Sequence, residues 1–271
     1  MTDETAKATK VSDPLSYDDA MSRPDATEWR KACQTELDMF KKQGLYEEVP
    51  RPRDRKIVGC KWVFLTKTGA DGQIERYKAH VVVQGFSQVE GIDYNETFAP
   101  VTKFNSIRVL LALAARLDLE VHQMDIKSAF LNGELEEEIY MRVPPGHNSP
   151  PGIVWKLNKA LYGLKQASRE WYKKLSTEIK SIGFRRSSVD HCVFYKNQDN
   201  DLLIIAVYVD DMMILSNKLN LVNETKRDLA SCFEMTDLGE IHWILNMEVT
   251  RDRKNRIIRL SQSQYIESIL E

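Results

Sequence analysis

Leu202-Leu-Ile-Ile-Ala-Val-Tyr-Val-Asp-Asp-Met-Met-Ile-Leu215 is an apolar run broken by two adjacent carboxylates, Asp210 and Asp211. Its richness in Ile and Val predicts two buried strands, Leu202 to Val209 and Met212 to Leu215, with Asp210-Asp211 at the hairpin apex. An ionised carboxylate among apolar side chains is costly unless it is paired or holds a metal, and a like-charged neighbour raises the cost. Two readings stay open on this stretch alone. One is a divalent-cation site at the apex; the other is a surface β-turn with two solvated acids, since Asp is a common turn residue.

A second acid lies far upstream. Leu119 to Met124 reads as a short strand ending at Asp125, followed by a turn-and-helix stretch, Ile126 to Gly133. An acid at a strand end together with an acid pair at a hairpin apex suits two-metal chemistry. There, two cations activate an attacking hydroxyl and stabilise the leaving oxygen of an in-line phosphoryl displacement. Magnesium fits, because it takes few carboxylates plus substrate phosphate oxygens. Taken singly, Asp125 also reads as an ordinary strand-end or cap residue.

Composition narrows the class. The chain has 271 residues, 42% of them hydrophobic, enough for a real core in one large or two small domains. A net charge of −2 is unlike a DNA-coating protein but leaves room for a local basic groove. Cys33, Cys60, Cys192 and Cys232 form no C-x-x-C pair, which suggests free thiols in a reducing compartment. No apolar stretch reaches the length of a membrane span, and the polar start, Met1 to Asp13, lacks a signal-peptide core. The expectation is an intracellular protein, in a cytoplasmic particle or the nucleus, neither secreted nor bound to membrane.

The rest of the chain interleaves helices and strands without a repeat. Residues 1–24 read as a flexible polar segment, Ala26 to Gly44 as an amphipathic helix stopped by Gly44, and Ile57 to Thr66 and Ile74 to Gln84 as strands around a Lys67 to Gly72 turn. Ser106 to Leu117, Ser168 to Ile182 and Leu221 to Cys232 read as helices, and Glu134 to Glu138 as a solvated turn or short helix. Cys192 to Tyr195 pairs naturally with the strand leading to Tyr208, and Trp243 to Thr250 with Ile257 to Ser261. The order predicts an α+β fold with an antiparallel sheet.

Tyr208-Val-Asp-Asp211 looks like the tyrosine-x-aspartate-aspartate signature of reverse transcriptases. From about residue 25 to 271 the chain resembles the reverse transcriptase of copia-type LTR retrotransposons. The segments carrying the resemblance include Lys61-Trp-Val-Phe64, Asp71 to Ala79, Gln84-Gly-Phe-Ser-Gln88, Thr97-Phe-Ala-Pro100, Met124 to Leu131, Leu161-Tyr-Gly-Leu-Lys-Gln-Ala167 and Leu260-Ser-Gln262. The resemblance implies the fingers and palm of a right-hand polymerase, with thumb and RNase H missing. It implies a fingers-like part over 25–118 and a palm-like part over 119–271, with a fingers insertion around 144–170. The implied reaction is RNA-directed DNA synthesis from deoxynucleoside triphosphates (dNTPs) on a primed RNA or DNA template, with two Mg2+ ions or Mn2+ in their place. The oligomeric state stays open.

The roles it implies are specific. Asp125, Asp210 and Asp211 would be the metal-binding catalytic triad, and the carbonyl of Ile126 a further ligand. Phe130 would be a steric gate against a ribose 2′-hydroxyl; without the family it reads equally as a core residue. Lys67 and Lys78 would hold triphosphate, where two solvated lysines are the plain alternative. Tyr162, Gly163, Lys165 and Gln166 would line the templating base and incoming nucleotide, with Gly163 permitting close backbone approach. Leu260 to Gln262 resembles the primer grip. His80 stands in place of the usual arginine, Ser168 of a proline and Asn246 of a glycine. Two rivals remain: a catalytically silent remnant that at most binds nucleic acid, and an unrelated two-metal phosphohydrolase. Arg51 to Lys56 and Arg251 to Arg259 are basic clusters that could meet phosphate backbones or simply be solvated.

Overall fold

The computed structural model describes residues 12–69, 73–198 and 201–270. In chain order the elements are α1 (Tyr17–Ser22), α2 (Ala26–Lys42), β1 (Tyr46–Pro50), β2 (Ile57–Val58), β3 (Cys60–Thr68), β4 (Ile74–Val83), α3 (Phe104–Leu117), β5 (Glu120–Ile126), β6 (Glu134–Met141) and β7 (Ile153–Lys159). They continue with α4 (Ala167–Ser181), β8 (Arg185–Arg186), β9 (Val193–Gln198), β10 (Asp201–Tyr208), β11 (Asp211–Ser216), α5 (Leu219–Cys232), β12 (Met235–Glu240), β13 (Trp243–Ile244), β14 (Met247–Asp252), β15 (Ile257–Ser261) and α6 (Ser263–Leu270). They gather into two compact units, one of Met1–Asn95 with Leu135–Ala167 and one of Glu96–Glu134 with Ser168–Glu271. These bounds are not the sequence segments: α3 belongs to the second unit, and the first takes chain back from Leu135.

In the first unit, β3 and β4 form a long antiparallel hairpin in which Trp62, Phe64, Ala79 and Val81 are buried. Trp29 of α2 meets Phe64 and Tyr77 edge-on at centroid distances of 5.2 and 4.6 Å. The bond from Gly69 N–H to Gln73 O (2.9 Å) closes the hairpin around residues 70–72, which lie outside the described residues. A separate four-stranded sheet runs β1-β7-β6-β2, with β2 parallel to β6. The acidic stretch Glu134–Glu138 is therefore strand, not turn or helix. Leu135, Glu137, Ile139 and Met141 alternate inward with period two, and the glutamates between them face water. Of the polar lead-in, residues 1–11 lie outside the described residues, while Ser12 onward is tied down. Ser16 Oγ caps α1 by accepting from Asp19 N–H at 3.1 Å, and Asp13 accepts from Thr66 N–H at 2.9 Å.

The second unit is built on one antiparallel sheet of order β12-β5-β11-β10-β9-β8. Alternate residues of the apolar run go to opposite faces. Ile205, Val207, Met212 and Ile214 join Trp171, Leu175 and Ile179 of α4 and Val222 and Leu229 of α5. Ile204, Ala206, Met213 and Leu215 join Ile107, Leu110, Leu111 and Ala114 of α3 and Ile244, Met247 and Val249 of the small β13-β14-β15 sheet. Both faces are covered, so the strands show no polar alternation. Ile205, Met212, Ile214 and Leu215 are fully buried, each contributing about 1.5–3 kcal/mol. The hairpin turn is Val209-Asp210, since Tyr208 pairs with Asp211. Asp211 is thus the first strand residue, not half of the apex.

Candidate active site

Antiparallel pairing of β5 with β11 sets Asp125 directly opposite Asp211. Directly opposed side chains share a face with Cβ atoms about 5 Å apart. Asp210 occupies the adjoining turn, where its backbone carbonyl accepts from Ile126 N–H at 3.0 Å. Asp210 is exposed, whereas Asp125 and Asp211 are half-buried. Gln123, buried two residues before Asp125, donates to Asp211 Oδ1 at 3.0 Å. The Asp211 pKa is raised above 3.8 chiefly by burial; the Gln123 bond opposes this, and Asp210 and Asp125 add to it. These groups are hard oxygen donors, the set that suits Mg2+ or Mn2+ and disfavours soft metals. Among the described residues, no three His, Cys, Asp or Glu side chains stand gathered as a ready metal cluster. The fit lies in the backbone register and the chemistry of the donors.

Val209 has φ +59, a conformation rare for a β-branched residue. A positive φ at the first central position of a two-residue hairpin belongs to a II′-like turn, where glycine is usual. Trp171 Nε1 donates to Val209 O at 2.8 Å, and Thr102 Oγ1 donates to Val207 O. Phe130 follows Ser128, itself at φ +51, in a short 3-10 turn. It is half-buried against the α4–α5 core and lines a shallow cleft with Pro100, Ser168, Trp171 and Val209. Ser168 lies in the first turn of α4, where proline is also tolerated.

The remaining predicted nucleotide residues lie in the first unit. Lys67 is exposed directly opposite Arg76, while Lys78, opposite Leu65, is half-buried on the same hairpin face. Gly163 has φ +96, and a Cβ there would meet Val83 O at 2.2 Å; Gly85 is pressed equally close to Gly163 O. Tyr162 is 59% exposed, and its carbonyl accepts from Val83 N–H at 2.8 Å. Lys165 Nζ donates to Tyr94 Oη at 3.0 Å and lies 4.7 Å from that ring's centroid. Gln166 is fully buried: its Nε2 donates to Asp93 O (2.8 Å) and Glu137 Oε2 (3.2 Å), and its Oε1 accepts from Gln88 (3.0 Å). Gln166 therefore braces the loop carrying Tyr162 and Lys165 and offers no free surface. His80 Nδ1 lies 3.4 Å from Glu36 Oε1, which also accepts from Val81 N–H.

One basic cluster is absorbed by the fold. Arg251 and Arg253 pair with Asp118 at 2.8 and 3.3 Å and with Glu240 at 3.8 and 3.3 Å, so they tie β14 and the turn after it to α3 and β12. Asn246 sits at φ +61 after Leu245 at φ +49, the two-residue β13–β14 turn in which Asn is the best replacement for glycine. Sequence reasoning missed Gln123 and Trp171. Only their spacing from the acids signalled them, and that becomes readable once the register is known.

Residues 43–271 match the family model described as reverse transcriptase (RNA-dependent DNA polymerase). The chain is 45% identical over 262 residues to the retrovirus-related Pol polyprotein from transposon TNT 1-94 of Nicotiana tabacum, which covers 96% of this chain and 20% of that protein. It is 39% identical over 245 residues to the retrovirus-related Pol polyprotein from transposon RE1 of Arabidopsis thaliana, 89% of this chain and 17% of that protein. The chain thus spans about one fifth of the length of these curated relatives. The resemblance to copia-type retrotransposon polyproteins holds over nearly the whole sequence, and the chain belongs to the reverse transcriptase (RNA-dependent DNA polymerase) family.

Proposed function

We propose that this chain carries the fingers and palm of an RNA-directed DNA polymerase, the first unit serving as fingers and the second as palm. The observation that carries the reading is the Asp125–Asp211 register pair with Asp210 in the adjoining turn. The register brings Asp125, far upstream in the chain, to the same sheet end as the adjacent Asp210 and Asp211, where mutual repulsion and the burial of Asp211 are costs without a cation. In the reaction, the primer 3′-hydroxyl gives up its proton to solvent as its oxygen bonds to the α-phosphorus of a dNTP, and the bond from that phosphorus to pyrophosphate breaks. Asp125, Asp210, Asp211 and the Ile126 carbonyl would hold divalent cations. When bound, these stabilise the charge on the attacking and leaving oxygens.

The chain's own groups do the positioning. Gln123 orients Asp211, and the Ile126 amide fixes the Asp210 carbonyl. Phe130 crowds the sugar, rejecting a 2′-hydroxyl by clash. Lys67 and Lys78 hold triphosphate charge, and Tyr162 and Lys165, braced by Gln166 and the close Gly163 backbone, face the nucleotide. The reading is tested by primer extension on a homopolymer RNA template with Mg2+ or Mn2+, comparing the chain with Asp210→Asn. Extension lost in the variant supports it. Absence of extension with either cation, or equal extension by the variant, overturns it.

A further inference from the structure

We infer that Trp171 is the positioning residue of the acidic turn: its indole N–H, bonded to the Val209 carbonyl, holds the strained backbone that aims Asp210. The inference rests on the reading of Asp210 and Asp211 as cation ligands. Val209 at φ +59 is a conformation that persists only where its surroundings over-determine it. Two bonds do so, on consecutive carbonyls. Trp171 Nε1 reaches Val209 O at 2.8 Å from α4, and Ile126 N–H reaches Asp210 O at 3.0 Å from β5. The second comes from the residue after Asp125, so the turn is latched between α4 and the strand that carries the partner acid.

The indole is well placed for the task. Trp171 is 2% exposed, and Phe233 meets it edge-on at 5.3 Å and 79°. Its ring nitrogen is a donor only, so it cannot exchange roles as a hydroxyl or amide would. A buried indole N–H needs an acceptor, and the one it takes here is the carbonyl of the strained residue itself. Without the latch, Val209 relaxes towards negative φ, and the Asp210 carboxylate leaves the place set by the Asp125–Asp211 pair.

The test replaces Trp171 in the full chain by benzothienylalanine, which keeps the bicyclic shape and lacks the N–H, with Trp171→Phe as a simpler variant. Each is also made with Val209→Gly, since glycine holds positive φ without help. Amide hydrogen exchange is measured on the metal-free protein, and Mn2+ affinity by water-proton relaxation. Loss of one hydrogen bond predicts exchange about three- to tenfold faster at residues 208–212 alone, and Mn2+ affinity weakened by a similar factor. Val209→Gly should restore both. Unchanged exchange in the benzothienyl protein, or a defect that Val209→Gly leaves in place, would show that the ring only fills the core. An Asp210→Asn control with undiminished Mn2+ affinity would instead sink the cation-ligand reading, while exchange at the turn still decides the latch.

Discussion

Asp125 and Asp211 face each other across the β5–β11 ladder, and the Gln123 amide that precedes one acid binds the other. Like charges directly opposed on a sheet are destabilising. The Asp211 pKa is raised above 3.8, first by burial and then by its two acidic neighbours. The folded chain therefore holds that proton more tightly than the unfolded chain, and ionised Asp211 subtracts stability at neutral pH. Asp211→Asn should raise the melting temperature at pH 7 in chelator while abolishing primer extension. The gain should shrink as pH falls through the raised folded value and vanish below 3.8. A large loss of stability at pH 7 would make Asp211 a structural residue.

How much of this was legible depended on range. The apolar run with its two acids announced buried strands, because a sheet covered on both faces leaves no polar alternation to confuse the reading. The turn falls one residue earlier than an apex shared by the two acids would place it, because Asp211 pairs with Tyr208 as a strand residue. A valine at positive φ carries no local signal, since the groups bonded to its turn, Trp171 and Ile126, lie far upstream. The stretch Glu134–Glu138 misled for a similar reason: four glutamates read as solvent, although only every second position faces it. Gln166 looked like a nucleotide contact and is fully buried, which only its partners Gln88, Asp93 and Glu137 reveal.

Phe130 tests sugar selection. It is half-buried beside Trp171 and Val209 in the cleft next to the acidic turn. Phe130→Val shortens the ring to a stub, at a stability cost of about 1–2 kcal/mol for a half-buried site. Ribonucleotide incorporation relative to deoxyribonucleotide should rise by about tenfold or more as the clash is removed. An active variant with unchanged discrimination would return Phe130 to a core role.

Lys226 of α5 is nearly buried and donates to Asp237 at 2.6 Å, with His122 Nδ1 at 2.8 Å. Burial, then Lys226, lowers the His122 pKa below 6.5, against the opposing pull of Glu120, Asp237 and Glu240. The unfolded chain thus takes up the His122 proton first as pH falls, so stability declines from about pH 6.5 down to the lowered folded value. His122→Asn keeps an acceptor for Lys226 and should flatten that decline. Melting temperatures between pH 7.5 and 5 decide this; parallel curves for the two proteins would remove His122 from the account.

Gly163 should tolerate no side chain. Its φ is +96, and a Cβ added there would come within 2.2 Å of Val83 O, so backbone strain adds to a clash with main chain. Gly163→Ala is expected to cost about 2–4 kcal/mol and to loosen Tyr162 and Lys165 together. A melting temperature within about 2 °C of the parent would show that the two backbone segments can part freely.

His80 is the departure whose reversal is most informative. The hairpin directs its ring to Glu36, a carboxylate with 9% side-chain exposure at 3.4 Å that also caps the Val81 amide. An imidazole offers one donor there, whereas a guanidinium offers a fork of five and is always charged. His80→Arg should therefore spend one edge on Glu36 and leave the other free beside Lys78, two residues away on the same hairpin face. A charge-assisted bond contributes about 1.5–3 kcal/mol in a buried setting and less at a half-exposed one. The expected outcome is a higher melting temperature with a KM for dNTP about tenfold lower and kcat little changed. A gain in stability with KM unmoved would mean that Glu36 captures the whole guanidinium. In that case residue 80 braces the hairpin and takes no part in holding triphosphate.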